Sequence, residues 1–347
     1  MVTQNWPVGS GHGLSGNPAW AAERIALPPM RTPVCELLGI EQPIVQAPMG
    51  EAATPRLAGA VADAGALGTV ALTWVRDVAG VVRDTAALTD RPFGGNFVLE
   101  WDMHRRVGRA LEAGLRIVSL TWGDPAPYVE QVHDAGGLLM HTVGSAVQAR
   151  RAADAGVDVI VAQGWEAGGH VLGTVATLPL VPAVVDAVAP VPVIAAGGIG
   201  DARGVAAVLA LGAQAAWVGT RFLLAEEAPT HPEYQRRLIA AAETDAEWYA
   251  DLYDVGWPNA PHRALRNSTS QAWELAGRPA PGARPGEGEA VAHLSTGEPL
   301  VRYGSETAIE GVTGDVDALS LWAGQSVALV KRVQTAAEIV AELTSRL

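Results

Sequence analysis

PVIAAGGIGDARGVAAVLALGAQAAWVGT, residues 192–220, holds one full repeat of the fold. PVIAAGG (192–198) reads as a buried strand, Asp201 as the N-cap of a helix over 201–211, Gly212 as the residue that ends it, and AAWVGT (215–220) as the next strand. Both strands are apolar throughout instead of alternating, which implies parallel neighbours covered on both faces.

The same punctuation recurs along the chain. Gly65, Gly114, Gly136 and Gly156 each close a helix-compatible segment and precede LGTVAL (67–72), IVSLTW (117–122), LLMHTV (138–143) and DVIVAQG (158–164). IVQAPM (44–49) and FGGNFVL (93–99) complete a set of eight strands, with helices over 54–64, 76–88, 102–113, 125–135, 145–155, 179–188 and 201–211. Eight βα units predict an α/β protein, a closed (β/α)8 TIM barrel, with an open doubly wound sheet as the alternative.

After residue 225 the pattern breaks. Residues 226–320 carry Trp248, Trp257, Trp273 and the stretch GRPAPGARPGEGE (277–289), which reads as an insertion. A helix over 322–345 then supplies the missing eighth one. The expected organisation is an N-terminal arm over 1–32, a barrel over 33–225 and 321–347, and an insertion or lid over 226–320, above the face where barrel enzymes carry their sites.

Composition narrows the function. Among 347 residues, 24 Lys+Arg against 37 Asp+Glu give a net charge of −13 with no dense basic run, which argues against nucleic acid as a partner. The apolar stretch 171–200 is broken by Pro179, Pro182, Pro190 and Pro192, so no membrane span is expected. One cysteine, Cys35, rules out an internal disulfide framework or a polythiolate metal site and suits a reducing cytoplasm, the expected location. GHGLSG (11–16) matches a dinucleotide fingerprint only nominally, since no strand precedes it and Pro18 follows.

The chemistry is expected at the strand ends. The glycine turns Gly197-Gly198 and Gly219-Thr220 end the seventh and eighth strands, where barrels commonly hold phosphate, although such glycines also serve tight turns alone. Asn96 ends the third strand and Gln163 the sixth; their amides can meet the polar edge of a heteroaromatic ring while Met49 packs on its face, a lining suited to a flavin. Two glycines before His170 let its loop pass close over such a ring, and imidazole titrates near neutral pH, so His170 is the candidate catalytic group, as a base or, when charged, as partner of an anion. His141 and Trp165 are secondary candidates for the substrate pocket, and Trp257 is a further one. His12, His104, His133, His231, His262 and His293 read as surface residues of the arm, helices and insertion. No metal site is expected.

The QAPM segment at 46–49, VAQGWEAGGH (161–170), PVIAAGGI (192–199) and GTRF (219–222) together resemble the FMN-dependent nitronate monooxygenases, formerly 2-nitropropane dioxygenases, and the related FMN enoyl-reductases. The resemblance spans about residues 36–235. It implies FMN contacts at Ala47, Met49, Asn96, Gln163, Gly168, Gly198 and the turn Trp217-Val218-Gly219-Thr220, with His170 as the catalytic histidine. It implies oxidation of a small alkyl nitronate by O₂ to a carbonyl compound and nitrite, without a metal, and it leaves a homodimer open.

Two other readings compete. An NAD(P)H-dependent enoyl-thioester reductase would use the same FMN cradle. A flavin-free phosphate-binding barrel is the other, but its aldolase form needs a strand-end lysine, and the chain's single lysine, Lys331, follows the insertion. The loop after the sixth strand has no cysteine, which weakens a nucleotide dehydrogenase with a thiolate nucleophile.

Overall fold

A computed structural model describes residues 31–347. Most of the arm, with GHGLSG and His12, lies outside the described residues. Eight parallel strands, β1 (Ile44–Gln46), β2 (Gly68–Ala71), β3 (Phe93–Val98), β4 (Ile117–Thr121), β5 (Leu138–Val143), β6 (Val159–Gln163), β8 (Val193–Ala196) and β9 (Ala215–Val218), form one sheet. The two-residue strand β7 (Gly169–His170) stands outside it.

The strand order is β1-β9-β8-β6-β5-β4-β3-β2, and a parallel bridge between Val45 and Leu67 joins the two ends. Leu67 N–H donates to Ile44 O and Gln46 N–H to Leu67 O, both at 2.9 Å, so the sheet closes into a barrel. The open-sheet alternative falls with that seam.

Helices α2 (Pro55–Asp63), α3 (Val78–Ala86), α4 (His104–Glu112), α5 (Ala126–Asp134), α6 (Ala146–Asp154), α7 (Thr177–Val188) and α8 (Ala202–Ala210) ring the barrel. Asp201 caps α8 as expected, its carboxylate accepting from the amides of Arg203 and Gly204. The short first helix, α1 (Pro33–Leu38), plugs the barrel floor. Its Val34, Cys35 and Leu38 pack with Val45, Leu67, Ile117 and Met140, so the lone thiol is core packing.

The insertion contributes α9 (Pro232–Ala240), β10 (Ala246–Tyr249), β11 (His262–Leu265), α10 (Ser268–Leu275) and a small antiparallel sheet of residues 290–293, 299–301 and 313–314. The last helix, α11 (Ala336–Thr344), packs Ile339, Val340 and Leu343 against Leu57 and Val61 of α2 and Val205 of α8, completing the ring.

The expected helix over 322–345 is therefore much too long. It begins only after Thr335, whose side chain and that of Glu338 form a reciprocal cap. Residues 322–335 instead cross the barrel mouth, partly as a 3-10 turn over 325–329, because Ala323 and Gly324 press against Gly168. Buried Arg221 fastens this return: its guanidinium donates to Arg332 O at 3.2 Å and to Glu342 at 3.3 Å.

Candidate active site

A cavity of about 460 Å³ opens at the C-terminal ends of the strands. Ala47, Met49, Asn96, Gln163, Gly168, His170, Gly198, Trp217, Gly219 and Thr220 all line it. Three expected residues do not. Val218 faces outward into the packing beneath the helices, beside Ile44 and Ala216. His141 is buried on β5 but its neighbour Thr142 lines the cavity, and strand alternation sends the imidazole the other way. Trp165 lies under the Arg263 guanidinium, 4.8 Å from its ring centre, and gives its carbonyl to that arginine at 2.9 Å.

At one side of the cavity the backbone presents unused donors. Among the described residues the amide N–H groups of Gly197, Gly198, Gly219 and Thr220 have no acceptor in the protein. Gly198 holds φ +72°, a conformation that turns the chain away from β8 and that other residues rarely adopt. At Gly219 an added Cβ would meet only the Ala47 Cβ, at 3.5 Å, so the space a side chain would fill belongs to the cavity. Four free amides around such a hollow suit a phosphate dianion.

The amides expected to face a ring behave differently from each other. Asn96 donates to Ser119 through Nδ2, at 3.2 Å to the hydroxyl, and its Oδ1 has no partner among the described residues. Gln163 is largely engaged, with Oε1 accepting from Leu172 N–H at 3.0 Å and Nε2 donating to His170 O at 3.1 Å. Its main task is to hold the His170 loop, with one N–H left over.

His170 is fixed from the insertion side as well. Strand β7 pairs antiparallel with β11, setting His170 opposite His262 and Gly169 opposite Arg263. The His170 ring stacks on Trp257 with centroids 3.9 Å apart and planes at 28°, and meets Trp122 and Trp322 at 6.0 and 5.3 Å. It makes no hydrogen bond to the protein among the described residues, and its Nε2 is buried and unpartnered. Burial, with His262 adding to it, pushes the imidazole down to about 3, so the neutral ring is the form present near pH 7. The charged partner for an anion is not the form these surroundings favour.

His262 corrects the surface reading. It is fully buried, with Nδ1–H donating to Ala260 O at 2.9 Å and Nε2 accepting from Tyr253 N–H at 3.1 Å, a pairing that only a neutral ring can make. Burial lowers it to about 4, and lowers His141 likewise to about 4. Their folded values lie below the unfolded one, so unfolding takes up protons on the acid side. The stability these rings contribute is whole above pH 6.5 and is lost as pH falls toward 4. We expect the stability measured by urea unfolding to fall from about pH 6.5 downward by up to about 4 kcal/mol per pH unit from His141, His170 and His262 together. A dependence under about 1 kcal/mol per unit would mean that they are solvated.

The sequence carried an unexploited signal. ALTW (71–74), VLEW (98–101) and SLTW (119–122) end three consecutive strands, each in tryptophan. Trp74 and Trp122 line the cavity together with Trp257 and Trp322, and Trp101 adjoins Trp74 and Trp257. Glu51 and Glu306 also line it, while no lysine or arginine does among the described residues.

A sequence model of the nitronate monooxygenase family matches residues 31–105 and 98–346. The chain belongs to the nitronate monooxygenase family. A member of that family named nitronate monooxygenase, from Paraburkholderia phytofirmans, is 32% identical, with 90% of this chain and 93% of the relative covered. A (3aS,4S,5R,7aS)-5-hydroxy-7a-methyl-1-oxo-octahydro-1H-indene-4-carboxyl-CoA dehydrogenase of Mycobacterium tuberculosis is 38% identical over 72% of this chain and 70% of its own. FabK from Thermotoga maritima superposes with a TM-score of 0.77 at 31% identity, covering 91% of this chain and 96% of that one. This nitronate monooxygenase family member is thus an oxidoreductase built on a TIM barrel. No helix among the described residues is long and apolar enough to cross a membrane.

Proposed function

We propose that the protein binds flavin mononucleotide and oxidises alkyl nitronates with O₂ to a carbonyl compound and nitrite. The observation that carries this reading is the convergence on one cavity of four unused backbone donors, the free Asn96 oxygen and a neutral histidine. The donors at Gly197, Gly198, Gly219 and Thr220 would hold the phosphate, and Asn96 Oδ1 would accept from a ring N–H. Met49 and Ala47 would border the ring as apolar neighbours. When bound, the flavin supplies a two-electron acceptor that O₂ can reoxidise.

A nitronate has already lost its α-proton. It therefore asks the protein for stabilisation of negative charge and not for a base, and a neutral imidazole suits that task by donating one hydrogen bond to a nitronate oxygen. The indoles of Trp122, Trp257 and Trp322 exclude water around that bond, which strengthens it. Among the described residues the lining offers no basic side chain for a phosphorylated second nucleotide or a coenzyme A tail.

The similarity to a carboxyl-CoA dehydrogenase favours a second reading, electron exchange with an acyl thioester. The two separate in one series of measurements. Purified protein is expected to be yellow, to consume O₂ and to release nitrite with an alkyl nitronate, and to keep its flavin oxidised when mixed anaerobically with NADH or NADPH. Rapid bleaching by a nicotinamide without nitronate turnover supports the reductase; a colourless protein that cannot be reconstituted with FMN ends both.

A further inference from the structure

Trp74, Trp101 and Trp257 form a triangle of indoles, with centroids 5.8, 5.8 and 5.6 Å apart. Its inner corner is buried Trp257, the residue stacked on His170. Its outer corners are open: Trp74 is 52% exposed and Trp101 36%. Large aromatic side chains left in water at the rim of a cavity mark a binding surface more often than isolated exposed apolar residues do.

The backbone supports the same assignment. Trp122 adopts φ +63°, a left-handed conformation that a bulky residue takes only when its surroundings impose it. In that conformation its indole stands edge-on to Trp257 at 5.0 Å and to His170 at 6.0 Å, extending the aromatic wall from the rim down to the histidine. Three successive strand ends supply these tryptophans and the insertion supplies the fourth, so the wall lies along one side of the mouth.

We propose that the Trp74–Trp101–Trp257 triangle is a subsite for an uncharged aromatic group of the substrate, joined by a short linker to the nitronate that meets His170. Beyond the nitronate, the lining offers no cationic partner for a second charge on the substrate, since Glu51 and Glu306 border the cavity without a basic side chain among the described residues, and this favours an uncharged group. The indoles touch one another edge-on or tilted at 5.6–5.8 Å, so a planar ring would lie against the exposed surfaces of Trp74 and Trp101, in offset or edge-on contact, and not between the indoles. The inference rests on the nitronate reading for the reacting group and on the indoles alone for the subsite.

The test has a binding arm and a turnover arm, both on the protein as purified. Carboxylates imitate the planar anion without reacting, so calorimetry compares 3-(2-naphthyl)propanoate with pentanoate. The naphthyl compound is expected to bind at least about tenfold tighter. Trp74→Ala and Trp101→Ala are each expected to remove most of that advantage, and Trp74→Phe to restore part of it. Both outer indoles are solvent-exposed, so these variants are expected to fold, as circular dichroism would show. In the turnover arm the nitronate of 1-nitro-2-(2-naphthyl)ethane is expected to exceed that of 1-nitropentane in kcat/KM by a similar factor, with the ratio collapsing in the alanine variants. Binding of the two carboxylates within twofold of each other, or an advantage that survives both substitutions, overturns the subsite. If neither nitronate is oxidised while the naphthyl preference and its loss persist, the subsite stands and the nitronate reading falls.

Discussion

Gly219→Val is expected to give a folded protein that purifies without colour and binds added flavin mononucleotide at least about 100-fold more weakly than the parent. Gly219 has φ −105°, so valine meets no left-handed strain there, and its Cβ would touch only Ala47 in ordinary contact. The added branches instead occupy the hollow beside the free amides of Gly219 and Thr220, where the phosphate is proposed to sit. Removing a phosphate's place costs several charge-assisted hydrogen bonds at once. Equilibrium dialysis with FMN and a thermal melt distinguish lost binding from lost folding. Retention of FMN at parental affinity would put the phosphate elsewhere and remove the main support for a flavin in this cavity.

His170→Phe is expected to raise KM for an alkyl nitronate and lower kcat/KM by about 30-fold or more, the usual cost of removing a hydrogen bond to a charged group, because the donor is proposed to meet an anion already present in the bound substrate. Phenylalanine keeps a ring against Trp257 and so preserves the stack, which isolates the N–H from the packing. His170→Asn, which restores a donor without the ring, is expected to recover part of the loss. Because the imidazole is held neutral, with its titration near 3, the parental kcat is expected to show no inflection from this residue between about pH 5 and 9. A kcat/KM within about threefold of the parent in His170→Phe would assign His170 to packing alone, and an inflection near pH 6.5 that the variant abolishes would mean a solvated ring.

The barrel is readable from the sequence because parallel strands buried on both faces leave continuous apolar runs, and because the helix-ending glycines stand at fixed places. Gly65, Gly114, Gly136, Gly156 and Gly212 all adopt positive φ, the property that makes them punctuation. Local chemistry also made the glycine turns and the His170 loop legible, since the residues that turn the chain at the strand ends are the ones that line the cavity. What depends on distant pairing was not. His262 looks like an ordinary polar residue in an insertion until β11 is laid beside β7, a contact between segments more than 90 residues apart in the chain. His141 and Trp165 fail for the related reason that a residue's place at a strand end does not tell which way its side chain turns. The late start of α11 follows from Gly168, whose lack of a side chain lets Ala323 and Gly324 cross the mouth: a Cβ there would lie 2.5 Å from the Ala323 carbonyl carbon.

The three-stranded ribbon of β10, β11 and β7 gives the protein an unusual division of labour. The segment that bears the His170 imidazole at the cavity is stitched to a part of the chain that the eight repeats do not require. Drift in this ribbon therefore reaches the cavity: a one-residue slip of β11 would re-aim His170, while a change at Trp257 would alter what it rests on. Evolution can diversify such an enzyme by editing one appendage, with the scaffold beneath it inherited untouched, and a laboratory chimera that exchanges residues 246–265 as a block would retrace that route.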